Sequence, residues 1–274
     1  TSGYSNEYQY IEAQKLTIED STIQGIASIY SVETYGSVDE TYQETFAGSA
    51  ITIRNSVITY GDEVNSSYDT GMLCNSRNIT IEDSTITGAA AVWNTACIGG
   101  IFETLTIRDS EVYIESEYTG SGNWTAPAIG PDRDAYVNYM GKLNITAPSI
   151  TIADSVVQAV SRHSAAIGLP YLHSSDSTTN LPQLSITIKG SSNITATSVY
   201  SPAIGGSSKA DKIQDDGLVA AEIVADNPGI ISWEPVDGGE SPGELSLAAA
   251  PASSSLNTFA ADSAPDVSLM AASA

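Results

Sequence analysis

The stretch ITIEDSTI (79–86) recurs with small changes as LTIEDSTI (16–23), ITIRNSVI (51–58), LTIRDSEV (105–112), ITIADSVV (150–157) and ITIKGSSNI (186–194). Apolar and polar residues alternate within it, and Ile, Val and Thr predominate, which is the chemistry of a half-buried strand. Its Thr stands at 17, 52, 80, 106, 151 and 187, so successive copies lie 35, 28, 26, 45 and 36 residues apart. A degenerate seventh copy, EIVADN (222–227), follows about one period on. A second phrase interleaves with the first: ACIGG (96–100), PAIGP (127–131), AAIGL (165–169) and PAIGG (202–206), with GMLCN (71–75) as a weaker form.

Strands that return in one order at this period, with no helical crossover pattern between them, predict a parallel β-solenoid. Each coil contributes two or three short strands and stacks on the next at roughly 4.8 Å. The inward side chains are then the first and third apolar residues of each copy, from Leu16 and Ile18 to Ile186 and Ile188, stacked as an aliphatic core. The Ala-Ile-Gly phrase fits a second wall, with a small residue and a Gly where the chain turns tightly. The variable outward position runs Glu19, Arg54, Glu82, Arg108, Ala153, Lys189. Its signs alternate over the first four copies, as stacked neighbours require if like charges are to be kept apart. Asp20, Asn55, Asp83 and Asp109 would line a turn as Asx residues. The Thr ladder also suggests an ice lattice, but uneven coils and nearby charges argue against one.

The chain of 274 residues carries 33 acids and 10 bases, a formal charge of −23, yet charged residues are only 16% of it and hydrophobic ones 41%. The acidity therefore reflects scarce Lys and Arg, and wholesale disorder is excluded by the apolar content. So few cations argue against nucleic-acid binding, which needs counterion-releasing contacts, and against docking on anionic lipid. No apolar run approaches the ~20 residues of a membrane span. Thr1 in place of Met suggests a processed or trimmed chain. From about residue 240 the composition turns to Ala, Ser and Pro without any cation. Residues 1–239 are expected to form the solenoid, and 240–274 a tail or assembly segment.

The six ITI-x-[DNG]-S strands and four AIG turns resemble right-handed parallel β-helix proteins of the pectin-lyase-like type. They most resemble the AIGG-repeat surface proteins of Gram-positive bacteria. The resemblance covers about residues 11–235. It implies an all-β, right-handed parallel β-helix of six to eight coils, an extracellular or cell-surface location, and polysaccharide recognition or hydrolysis.

Insertions between repeats cluster on one face, often the binding face. Those after the AIG turns span 131–142, 169–183 and 206–217. Tyr113, Tyr118 and Trp124, which lie before the PAIGP turn, join Tyr136, Tyr139 and Tyr171 as aromatic platforms for sugar rings. Asp132, Asp134 and Asp176 supply acceptors for hydroxyls. A hard cation such as Ca²⁺ needs six to eight oxygens, for which Asp132, Asp134, Asp211, Asp215 and Asp216 are the local candidates. His163 and His173 have no zinc-site spacing. Cys74 and Cys97 fall in one turn region of neighbouring copies, as a disulfide candidate or as small buried residues. The repeated acids are consensus residues, and a catalytic site normally breaks a repeat.

These features predict a non-catalytic extracellular protein that recognises carbohydrate or acts as an adhesin through its loops, with a polysaccharide or cell-surface glycan as partner. The alternatives are a filament or surface-layer subunit joined through solenoid ends or the tail, and a polysaccharide lyase or glycoside hydrolase.

Overall fold

The structure, a computed structural model, describes residues 10–33, 38–60, 71–90, 95–116, 126–161, 164–172, 176, 180–198, 201, 203–206, 222–225 and 231–232. Over these residues the chain winds through three parallel sheets of seven strands each, so the all-β parallel solenoid is the observed fold. The first sheet runs from Tyr10–Glu12 to Ile204–Gly205, the second from Lys15–Glu19 to Glu222–Ala225, and the third from Thr22–Ile26 to Ile231–Ser232. The degenerate copy is the last strand of the second sheet, with Ile223 in register with Ile186. The tail 240–274 lies outside the described residues.

The second sheet is the ITI repeat laid coil on coil. Ile51, Ile79, Leu105, Ile150 and Ile186 stack in register, and each is 0% exposed. Burying a side chain of this size contributes about 1.5–3 kcal/mol, so the inward columns dominate cohesion. On the outer face Glu82 joins Arg54 and Arg108 on either side, with Arg54 Nε 3.1 Å from Glu82 Oε2. The alternating signs are therefore a real ladder. Arg108 foremost, then Arg54, holds the Glu82 carboxyl below the usual carboxylate range.

The turn from second to third sheet explains the rest of the phrase. Asp20, Asn55, Asp83, Asp109 and Asp154 take positive φ of 43–51°, a conformation that Asn and Asp tolerate better than other residues with a side chain. In the sixth copy Gly190 takes it instead. The Ser that follows builds a spine. Ser56, Ser84 and Ser110 each donate Oγ–H to the carbonyl two residues back, at 2.6 Å. The same oxygens accept from the N–H of Ser21, Ser56 and Ser84 in the preceding coil, at 3.1 Å. The buried Ser thus supplies a partner to an amide that the strand ladder leaves over.

The Gly of the AIG phrase has a steric cause. Gly99, Gly130 and Gly168 take positive φ, and a Cβ there would come within 2.0–2.3 Å of the next coil's Gly carbonyl oxygen. The strands Ser28–Tyr30, Leu73–Cys74, Ile98–Gly100 and Ile129–Pro131 are buried at every residue, so the first sheet is covered on both faces. The second and third sheets alternate buried and accessible residues and turn one face to solvent.

Cys74 and Cys97 are two separate buried thiols, not a bridge. Cys74 is opposite Gly99, which places Cys97 two residues along the neighbouring strand. Strand geometry then sets their Cα atoms about 8 Å apart, beyond the roughly 7 Å that a disulfide spans. Burial, with the Asp132 charge second, pushes the Cys74 thiol far up, so it stays protonated.

Candidate functional site

The predicted site residues fall on two different parts of the solenoid. One is the edge where the first sheet passes to the second. The other is the outer face of the third sheet. The edge carries the inserted segments. Helix Glu40–Ala47 is started by Asp39, whose side chain accepts from Tyr42 N at 2.8 Å, and it buries Phe46. A π-helical turn, Ala135–Tyr139, lies three coils further on. Between them the corners 75–77 and 101–103 are short and are joined by the Arg77–Glu103 ion pair.

The acids at this edge are held by the protein itself. Asp132 is 6% exposed, and its Oδ1 accepts from Ala96 N at 2.5 Å. Asp134 and Asp176 share one guanidinium. Arg133 Nη1 lies 3.0 Å from Asp134 Oδ1, Nε lies 2.8 Å from Asp176 Oδ2, and Nη2 reaches Asp176 Oδ1. This bidentate fork ties the insertion after Pro131 to the one after Gly168. Among the described residues no group of three or more His, Cys, Asp or Glu could hold a metal ion. Of the expected cation ligands, Asp132 accepts from a backbone amide and Asp134 pairs with Arg133. Asp211, Asp215 and Asp216 lie outside the described residues.

Two edge tyrosines are also internal. Tyr136 is 1% exposed and donates to Pro182 O at 2.8 Å. Burial pushes its hydroxyl well above the usual phenol range. Tyr171 is buried, and its N–H donates to Ser164 Oγ at 2.9 Å. Tyr139 is half-buried, with Lys142 Nζ 5.6 Å from its ring centroid. Tyr42, which the sequence did not single out, sits close enough to feel Tyr139 and is pushed up to about 12, chiefly by burial. Tyr42 belongs to no repeat, so nothing in the sequence marks it.

The third-sheet face is built differently. Its outward side chains follow the strand alternation, and Tyr113 projects there, 37% exposed. Its hydroxyl donates to Glu111 Oε2 at 3.5 Å, two residues back on the same face. In register with Tyr113 lie Thr87 on one side and Gln158 on the other. Val57 and Val156 are also exposed on this face, at 43% and 38%. Tyr118 and Trp124, on the segment that leaves the Tyr113 strand, lie outside the described residues, as do His163 and His173. Among the described residues this face offers an aromatic ring, amides and hydroxyls at repeat spacing, with the Glu111 and Glu115 carboxylates on the strand of the ring. No protein-family model, curated protein or solved structure matches the chain.

Proposed function

We propose that the chain is a right-handed parallel β-helix resembling the pectin-lyase-like and AIGG-repeat surface proteins, and that it works outside the cell as a non-catalytic carbohydrate-recognition or adhesive module. The observation that carries this reading is Tyr113, an exposed ring with Thr87 and Gln158 beside it on the neighbouring strands and the Glu111 and Glu115 carboxylates beside it on its own. Sugars are bound by aromatic faces against their C–H surfaces and by amides and hydroxyls at their rims. The Asx and acid rows of the repeat are turn residues, which favours recognition over hydrolysis. A glycan array with the full chain, run with and without Ca²⁺, tests the reading. Binding to at least one glycan class is expected. No binding under either condition removes it.

A second reading, self-association through the solenoid ends, has its own observation. Ile11, Leu16 and Ile23 at the N-terminal rim are only partly buried, whereas Ile29, Ile51 and Ile58, stacked on them, are 0% exposed. Among the described residues the first strand of each sheet has a neighbouring strand on one side, and edges of this kind invite pairing with another chain. A strictly monomeric full-length protein in light scattering would exclude it.

A further inference from the structure

We propose that the outer face of the third sheet takes an extended, uncharged polysaccharide chain lying along the solenoid axis, one sugar ring per coil, and that it turns away polyanionic glycans. The proposal rests on the carbohydrate reading above and specifies its site and ligand class.

The register supplies the geometry. Gln24, Thr59, Thr87, Tyr113, Gln158 and Thr195 are in-register partners on successive strands, all half-buried or exposed. They form one straight column with a repeat of roughly 4.8 Å. Successive rings of an extended glycan are spaced comparably, so a chain laid along the column keeps step with it. Every position in the column can donate or accept a hydrogen bond, and only Tyr113 carries a ring. Thr59 and Thr87 already bond to each other, Oγ1 to Oγ1 at 3.2 Å, which fixes their hydroxyls as a pair. The adjacent column runs Val57, Thr85, Glu111, Val156, so exposed methyl groups suited to sugar C–H faces lie two coils before and one coil after the Tyr113 coil, with the Glu111 carboxylate between them.

Charge selects the class of glycan. Among the described strands of the third sheet, the outward positions carry no Lys or Arg, and their ionised groups are Glu111 and Glu115. The described cations lie elsewhere. Lys15, Arg54, Arg108 and Lys189 are on the second sheet, with Arg54 and Arg108 paired to Glu82, and Arg77, Arg133 and Lys142 are at the edge, with both arginines paired to acids. A uronic-acid or sulfated chain on this face would meet like charge and, among the described outward residues, no counter-ion. A neutral chain loses nothing by their absence.

The test is calorimetric titration of the full chain with linear neutral oligosaccharides of glucose, mannose or N-acetylglucosamine, from two rings to six, and with oligogalacturonate. At least one neutral series should bind, tightening about tenfold or more from two rings to six, and oligogalacturonate should not. Thr87→Arg and Gln158→Arg project into the column and should each abolish binding. Thr106→Arg, outward on the second sheet, should leave it intact, and circular dichroism checks that all three variants fold. A neutral glycan that binds the Thr87→Arg and Gln158→Arg variants unchanged overturns the placement while sparing carbohydrate recognition. Affinity that does not grow with length, or equal binding of oligogalacturonate, overturns the axial or neutral assignment. No binding of any neutral series overturns the proposal, and the glycan array then decides whether the carbohydrate reading beneath it stands.

Discussion

The edge between the first and second sheets and the outer face of the third sheet both hold aromatic and acidic residues, and they use them in opposite ways. At the edge, Asp132, Asp134 and Asp176 are taken up by a backbone amide and by Arg133, and Tyr136 and Tyr171 are buried. On the third sheet, Tyr113 stays at the surface, with Thr87 and Gln158 across the strands and its hydroxyl on Glu111. The difference follows from what positions each side chain. A strand fixes facing by its period of two, so alternate residues must look outward. An insertion has no such period, and its side chains turn wherever they can bury surface and pair charge. Acid-and-aromatic composition therefore marks a surface reliably only where the repeat controls orientation.

The most disruptive way to break this comparison is at the edge. Arg133→Ala would leave Asp176, whose side chain is 6% exposed, without its fork. Removing one partner of a buried pair costs about 3–5 kcal/mol, so denaturant unfolding should shift strongly, with glycan binding at the third sheet intact below the transition. A loss of less than about 1 kcal/mol would mean that the fork is not structural. Ser110→Ala is expected to cost less, about 1–3 kcal/mol, because the Ser84 amide loses its acceptor inside the turn. Urea titration against Thr106→Ala, an outward change in the neighbouring strand, separates the spine from ordinary surface effects.

A smaller effect is expected at alkaline pH. The Tyr42 hydroxyl is pushed up to about 12 in the fold, while an unfolded chain releases that proton near its ordinary value of about 10. The folded state then binds more protons than the unfolded state across that interval. Stability is therefore full below the unfolded value and falls as pH rises through it, by at most about 1.4 kcal/mol per pH unit from this group. Tyr42→Phe should flatten the decline between pH 10 and 12, as followed by the thermal midpoint. An unchanged slope would place the alkaline sensitivity elsewhere.

The solenoid was legible because six copies of one phrase state its strand, its facing and its turn together. The second-sheet register, the aliphatic columns and the Glu82 ladder all follow from them. The Ser spine was missed for want of a mechanism, although Ser110 and its counterparts recur in every copy and the signal was present. Cys74 and Cys97 share a turn phrase yet stand two residues out of register, because Cys74 takes the Gly position of AIG and Cys97 the Ala position. The roles of Arg133 and Tyr42 were invisible, since each occurs once, in an insertion, where pairing is decided in three dimensions.

Calorimetric titration of Tyr113→Ala and Tyr139→Ala with the best-bound neutral oligosaccharide tests the central claim most directly. Binding should fall about tenfold or more in Tyr113→Ala and hold in Tyr139→Ala. Loss in Tyr139→Ala with full binding in Tyr113→Ala would contradict it, and would move the site to the edge.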